Sequence, residues 1–265
     1  MTEAEKLARL KFFTKPIFVL GSGGFVGKHI SNGLKLCSDD IKTLAQQDFQ
    51  LGNFAHYAKY PFSDSIIVDC ISKIDGTPED VYDNNFVKLT GFIDYLRYHH
   101  AGFVYIYFST ISTSNQKIKD QNYYVKSKAH AEEYIEENLP DYSIVQLSYP
   151  FGKGESPKRL ISRIIDKIKL QEKLIINDLR LSLMPIDQLE KDSCELISIS
   201  EKKVQYFNSK FISLEEVVRF IYDKLGMPYN YAIAEKSGME ILPARKKGNK
   251  LERFINPLDA IGLMI

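Results

Sequence analysis

A doubly wound α/β fold, a parallel sheet covered by helices on both faces, is predicted by three features of this sequence. Strand-like and helix-like runs alternate through the first 150 residues. The strand-like runs are almost continuously apolar, as strands buried on both faces must be. A glycine loop joins the first strand to the first helix, where such sheets receive their ligands.

The elements follow in order. IFVL (17–20) is a short apolar strand, and VGKHISNGLKL (26–36) has helical spacing. IKTLA (41–45) and SIIVDCI (65–71) are the next strands, followed by the helical VYDNNFVKLTGFIDYLRYHH (81–100). FVYIYFS (103–109) is a strand that ends in hydroxyl residues, a helix runs from Tyr124 to Glu137, and SIVQLS (143–148) is a further strand. After YPFGKGESP the texture changes: a helical RLISRIIDKIKLQ, a short LIIN, the stretch LSLMPIDQLEKDSCEL and an apolar-periodic helix, SLEEVVRFIYDKLG (213–226). The expected division is an α/β unit over 1–153 and a smaller C-terminal region over 154–265, part of 185–225 returning to the sheet. The first 15 residues are expected to add a surface helix.

Bulk properties narrow the class. With 265 residues the chain can bury a substantial core without staples. Lysine plus arginine number 35 against 34 aspartate plus glutamate, a formal charge of +1, so neither nucleic acid nor an acidic membrane is indicated as a partner. Cys37, Cys70 and Cys194 are scattered without metal-ligand spacing, so no metal site and no disulfide framework is expected. The opening MTEAEKLARLKFF is charged and lacks an apolar leader core, and no later apolar run approaches the roughly 20 residues of a membrane span. A cytoplasmic protein is expected.

VLGSGGFVGKHI carries Gly21, Gly24 and Gly27 between a strand and a helix. The first permits a tight turn, the second lets a pyrophosphate approach, and the third lets the helix pack closely on the sheet. Amides near Phe25 and Val26 then face the phosphates along the helix dipole. At the end of the second strand, where an acid usually holds the ribose, stand Gln46 and Gln47, with Asp48 slightly beyond. Both NAD and NADP remain open.

Y-x-x-x-K occurs three times, at Tyr124 and Lys128, Tyr149 and Lys153, and Tyr206 and Lys210. Only the first sits on a convincing helix, where residues four apart share a face. A phenol near pKa 10 needs a nearby cation to exchange protons at neutrality, and Lys128 is the candidate. The strand ending in Ser109, Thr110 and Ser112 places hydroxyls at the carboxyl edge of the sheet, where one can hold a substrate oxygen; turn capping is the competing reading for each. His99 and His100 are read as cations at a helix C-terminus. The run Arg245 to Lys250 is read as a solvated loop in preference to a diphosphate clamp.

Taken together, the glycine loop, the strand-end Ser/Thr and Y-x-x-S-K resemble the extended short-chain dehydrogenase/reductase family, whose Rossmann-type members modify nucleotide-sugars. Asn85 in VYDNNFVKLTG, VQLSYPFGKGE, LSLMPIDQLEKD, QYFNSKFISLEEVVRFIYDKLG and NKLERFINPLDAIGL are similar to its later motifs. The resemblance implies Tyr124 as acid/base, Lys128 as the residue that lowers its pKa and binds the nicotinamide ribose, Thr110 with Ser109 as the carbonyl-holding hydroxyls, and Asn85 in support of a proton relay through the lysine. It implies dinucleotide binding for the unit over 1–153 and substrate binding for the region over 154–265. It implies that Cys70 and Tyr149 lie beside the cofactor and that a homodimer forms through the helices at 83–98 and 124–137, with Phe86, Leu89 and Ile93 either in the interface or facing the sheet. Asp69 and Cys70 stand where the family has small apolar residues. Ile111 and Ser112 occupy the place of the dehydratases' Asp-Glu pair, and Ile111 that of the cysteine of the double epimerases, so neither reaction is expected. Reduction of a 4-keto nucleotide-sugar is put first. A 4-epimerase with tightly held NAD comes second, and a non-catalytic NAD(P) sensor third.

Overall fold

The computed structural model describes residues 14–115, 122–234, 239–241 and 249–265. The expected N-terminal helix and the basic run at 245–248 lie outside these residues. Seven parallel strands form one sheet: β1 (Ile17–Leu20), β2 (Ile41–Leu44), β3 (Ile66–Asp69), β4 (Val104–Thr110), β5 (Tyr142–Leu147), β10 (Lys203–Asn208) and β14 (Asn249–Arg253). Their order across the sheet is β14-β10-β5-β4-β3-β1-β2. The strand order turns around between β1 and β3, which opens a crevice at their carboxyl ends. No strand intervenes between β2 and β3. Four-residue α2 (Phe54–Tyr57) packs there instead, with Phe49 stacked on Tyr57.

Alternate residues along each strand serve two cores, since successive side chains point to opposite faces. On one face Ile67, Tyr105, Tyr107 and Ile144 meet α4 (Lys88–His99) and α5 (Tyr123–Asn138). On the other Val19, Val68, Ile106 and Val145 meet α1 (Phe25–Leu34) and α7 (Ile186–Ile197). Leu89 and Ile93 are fully buried in the first core, so they face the sheet and not a partner subunit. The helix expected over 81–100 is interrupted: α3 (Pro78–Tyr82) passes into α4 through a wide π turn at Asp83–Val87, which aims Asn85 inward.

A third core gathers Phe151, Ile161, Ile165, Leu181, Val217 and Ile221 between α6 (Leu160–Lys169) and α8 (Leu214–Leu225). Short strands extend it: β6 (Tyr149–Phe151) beside β9 (Leu183–Pro185), β7 (Leu174–Ile176) beside β12 (Tyr231–Ile233), and β8 (Leu179–Leu181) between β11 (Ile212–Ser213) and β13 (Met239–Ile241). Closing the chain, α9 (Pro257–Gly262) adds Ile261 to this core. Among the described residues no helix is long and apolar enough to cross a membrane.

The cysteine reading needs correction. Cys37, just beyond α1, and Cys194, in α7, are joined by a disulfide across 157 residues, with Cα atoms 6.4 Å apart. Spacing in sequence gave no sign of it, because the two helices meet only in the tertiary fold. Gly33 sits at that meeting point, where a Cβ would fall 2.0 Å from the Glu190 carbonyl oxygen.

Candidate active site

The glycine loop takes the shape its composition requires. Gly21 has φ +72, in the left-handed region, and a Cβ on Gly27 would lie 2.2 Å from the Gly21 carbonyl oxygen. The start of α1 has no side-chain cap and no acid in its first turn, so the amides about Phe25 and Val26 present an open, partly positive helix end. Cys70 lies against the loop: its Cβ is 3.2 Å from where a Gly27 Cβ would stand, and burial pushes its thiol pKa up. Gln46 and Gln47 are exposed beyond β2, while the Asp48 carboxylate turns back to accept the Ala45 amide at 3.1 Å.

Across the crevice, Asn122 caps α5 by accepting the Val125 amide at 3.2 Å, and the helix carries Tyr124 and Lys128 one turn apart. Tyr124 is half-buried. Burial raises its phenol pKa, opposed by a hydrogen bond with Ser72 and by the Arg159 guanidinium. Lys128 is not among the groups that pull it down, contrary to the role expected from the spacing. Lys128 is itself desolvated: it is 1% exposed, its ammonium lies 4.0 Å over the Tyr107 ring, and burial lowers its pKa to about 8. Its Nζ has no hydrogen-bond partner.

Ser109 is buried and donates to Glu132, whose carboxylate also accepts from Thr113 at 2.9 Å, from Gln146 at 2.8 Å and from Lys203 at 3.0 Å. That hydroxyl is committed. Thr110, half-buried at the strand end, accepts the Ser112 amide at 3.3 Å and keeps its own proton to give. Asn85 is fixed by the Lys73 backbone, accepting its amide and donating to its carbonyl, both at 2.8 Å, and reaches Ser127 at 3.3 Å. It shapes the loop after β3, and no hydrogen bond joins it to Lys128. The hydroxyl oxygen of Tyr149 accepts the Leu160 amide at 2.8 Å and so serves the start of α6.

Three participants escaped the sequence reading. Glu132 was legible in principle, since it lies one further turn along the same face as Tyr124 and Lys128. Arg159 carried no signal: its guanidinium is set 5.1 Å from the Phe25 ring and 5.0 Å from the Tyr149 ring, donates to the Pro150 carbonyl at 2.6 Å and faces Glu155 at 3.6 Å. Ser148, at the end of β5, has a buried hydroxyl without a partner. Buried polar groups are almost always satisfied, so the unpartnered Lys128 ammonium and Ser148 hydroxyl, both near the carboxyl edge of the sheet, point to a polar ligand.

No family model and no curated protein matches the sequence. Solved structures do match. The Bordetella bronchiseptica enzyme WbmH in complex with NAD+ superposes with a TM-score of 0.71 at 13% identity, covering 94% of this chain and 96% of that one. dTDP-4-dehydrorhamnose reductase from Bacillus anthracis in complex with NADP gives 0.69 at 18% identity over 85% of each chain. UDP-N-acetylglucosamine 4-epimerase from Bacillus cereus gives 0.68 at 15% identity, with 95% and 96% covered. This chain has their fold. The shared architecture extends through the C-terminal region, since the coverage of the WbmH and epimerase chains is nearly complete on both sides.

Proposed function

We propose that this protein is an NAD(P)-dependent oxidoreductase of nucleotide-sugars, with reduction of a 4-keto sugar as its reaction. The observation that carries the reading is the buried, unpartnered Lys128 ammonium at the same sheet edge as an uncapped helix start and a glycine cradle. Those residues fit a nicotinamide dinucleotide: α1 and its loop for the diphosphate, Lys128 for ribose hydroxyls, and Cys70 and Tyr149 alongside. With Gln46 and Gln47 exposed after β2, neither a carboxylate nor an arginine there selects between NAD and NADP. The bound dinucleotide supplies the hydride. Tyr124, kept neutral by its raised pKa, gives its proton to the substrate oxygen, and the Thr110 hydroxyl donates to the same oxygen. The cation of Arg159 stabilises the phenolate left behind. The region after residue 154 supplies the walls for the nucleotide-sugar, and a homodimer through α4 and α5 completes the proposal, supported by the shared fold.

Fold relatives that are 4-epimerases support a second reading, oxidation and re-reduction at one carbon by tightly held NAD. Denaturing the purified protein and identifying what it releases separates the two. Stoichiometric NAD favours the epimerase, and an empty site the reductase. Tyr124→Phe is expected to lower turnover about 100-fold or more while leaving dinucleotide affinity within a factor of about two. Unchanged turnover would remove Tyr124 from the chemistry.

A further inference from the structure

Asp69 is a carboxyl group buried beside a largely apolar and aromatic core. It ends β3, is fully buried, and lies directly across from Leu20 on one side and Tyr107 on the other. Its two oxygens accept from neutral donors only, the Tyr105 hydroxyl at 2.6 Å and the Ile71 amide at 2.8 Å. No ion pair to it exists among the described residues, yet the Lys128 ammonium stands over the ring of its cross-strand neighbour Tyr107. The groups facing Lys128 are Asp69 at the end of β3 and Cys70 just beyond it, Tyr107 from β4, and Tyr124 and Glu132 one turn away on either side along α5. Cys70 and Tyr107 are held neutral by burial, and Glu132 already has Lys203 as its cation. Burial pushes the Asp69 pKa up as well, opposed by the Tyr105 hydroxyl, the Lys128 ammonium and the Ile71 amide, and Asp69 is the acid in this core that has no ion pair of its own.

We propose that Asp69 is a positioning residue whose buried carboxylate keeps Lys128 an ammonium, so that a dinucleotide ribose meets a cation where burial alone would leave a neutral amine. The inference rests on the dinucleotide reading above for its use, but its electrostatic core does not. Two opposite charges brought into one low-dielectric site each offset part of the other's desolvation, and removal of one exposes the full penalty on its partner.

Two measurements test it. In the protein alone, NMR of lysines labelled at the ε-carbon follows the titration of Lys128, its signal assigned by absence in Lys128→Met. Asp69→Asn is expected to lower the midpoint by about one pH unit or more. Asp69→Ser, which removes the same carboxylate with a smaller side chain, is expected to lower it by a similar amount and serves should the first variant not fold. Midpoints within about 0.3 pH units of wild type in the folded variants overturn the proposal. Separately, binding of NADH and NADPH by fluorescence is expected to weaken as pH rises through the Lys128 midpoint, and to weaken at lower pH in Asp69→Asn. Affinity flat across that midpoint overturns the proposed use of the ammonium. Binding of neither dinucleotide at any pH sinks the functional reading, while the NMR midpoints still decide whether Asp69 controls Lys128.

Discussion

Lys128 shows how a single residue trades stability for chemistry. Its pKa is 10.5 when unperturbed and about 8 in the fold, so at neutral pH the folded protein holds a cation it would rather not bury. Below about pH 8 the folded and unfolded chains are both protonated at this site and the cost is fully present. Between about pH 8 and 10 the unfolded chain holds more protons, and stability rises with pH. Lys128→Met removes that cost, about 3 kcal/mol at most, but strands the buried Asp69 carboxylate, so the two effects oppose each other at pH 7. The variant is expected to abolish the rise and to lose dinucleotide binding. Urea midpoints across pH check it. A rise in stability between about pH 8 and 10 that survives in the variant would show that Lys128 is not its source.

At the scale of elements, close backbone packing decides which glycines are replaceable. Gly27→Ala puts a methyl 2.2 Å from the Gly21 carbonyl oxygen, so α1 must lift from the loop. The expected cost is about 2–3 kcal/mol, together with loss of dinucleotide binding. Gly91, in α4, has open space where a methyl would stand, with nothing within 4 Å, and Gly91→Ala is expected to stabilise by up to about 1 kcal/mol with binding intact. Equal effects of the two substitutions on thermal midpoints would contradict the packing described. The π turn before α4 is an element feature of the same kind: it adds width to one helical turn and thereby carries Asn85 to the backbone of Lys73.

For the molecule as a whole, the Cys37–Cys194 disulfide ties the start of the chain to its last third. Closing so long a loop restricts the unfolded ensemble, and chain-entropy reasoning puts the effect at up to about 5 kcal/mol. Reduction is therefore expected to lower the urea midpoint of wild type, whereas Cys37→Ser starts at the lower value and does not respond to reductant. A cytoplasm keeps most thiols reduced, so cytoplasmic residence and this bond pull in opposite directions. Thiol counting on protein quenched in its cells shows which state is populated. A wild-type midpoint indifferent to reductant would mean that the bond constrains little.

The sheet was legible from the order of residues, because apolar runs punctuated by glycine and helical periodicity are local properties that each strand and helix carries within its own few residues. So were the places of Gly21, Gly24 and Gly27 in the loop, of Tyr124 and Lys128 on one helix face and of Thr110 at a strand end, since loop geometry and helical spacing are short-range. What surrounds them was set by folding alone. Asp69 is set beside Tyr107, the ring beneath the Lys128 ammonium, through strand pairing, Arg159 arrives from beyond the last predicted strand of the first unit, Glu132 draws partners from three other elements, and Cys37 finds Cys194 where two helices touch. Desolvation and charge depend on every neighbour in space, so the spacing of a tyrosine and a lysine predicted their helix face but not the direction of the phenol's pKa.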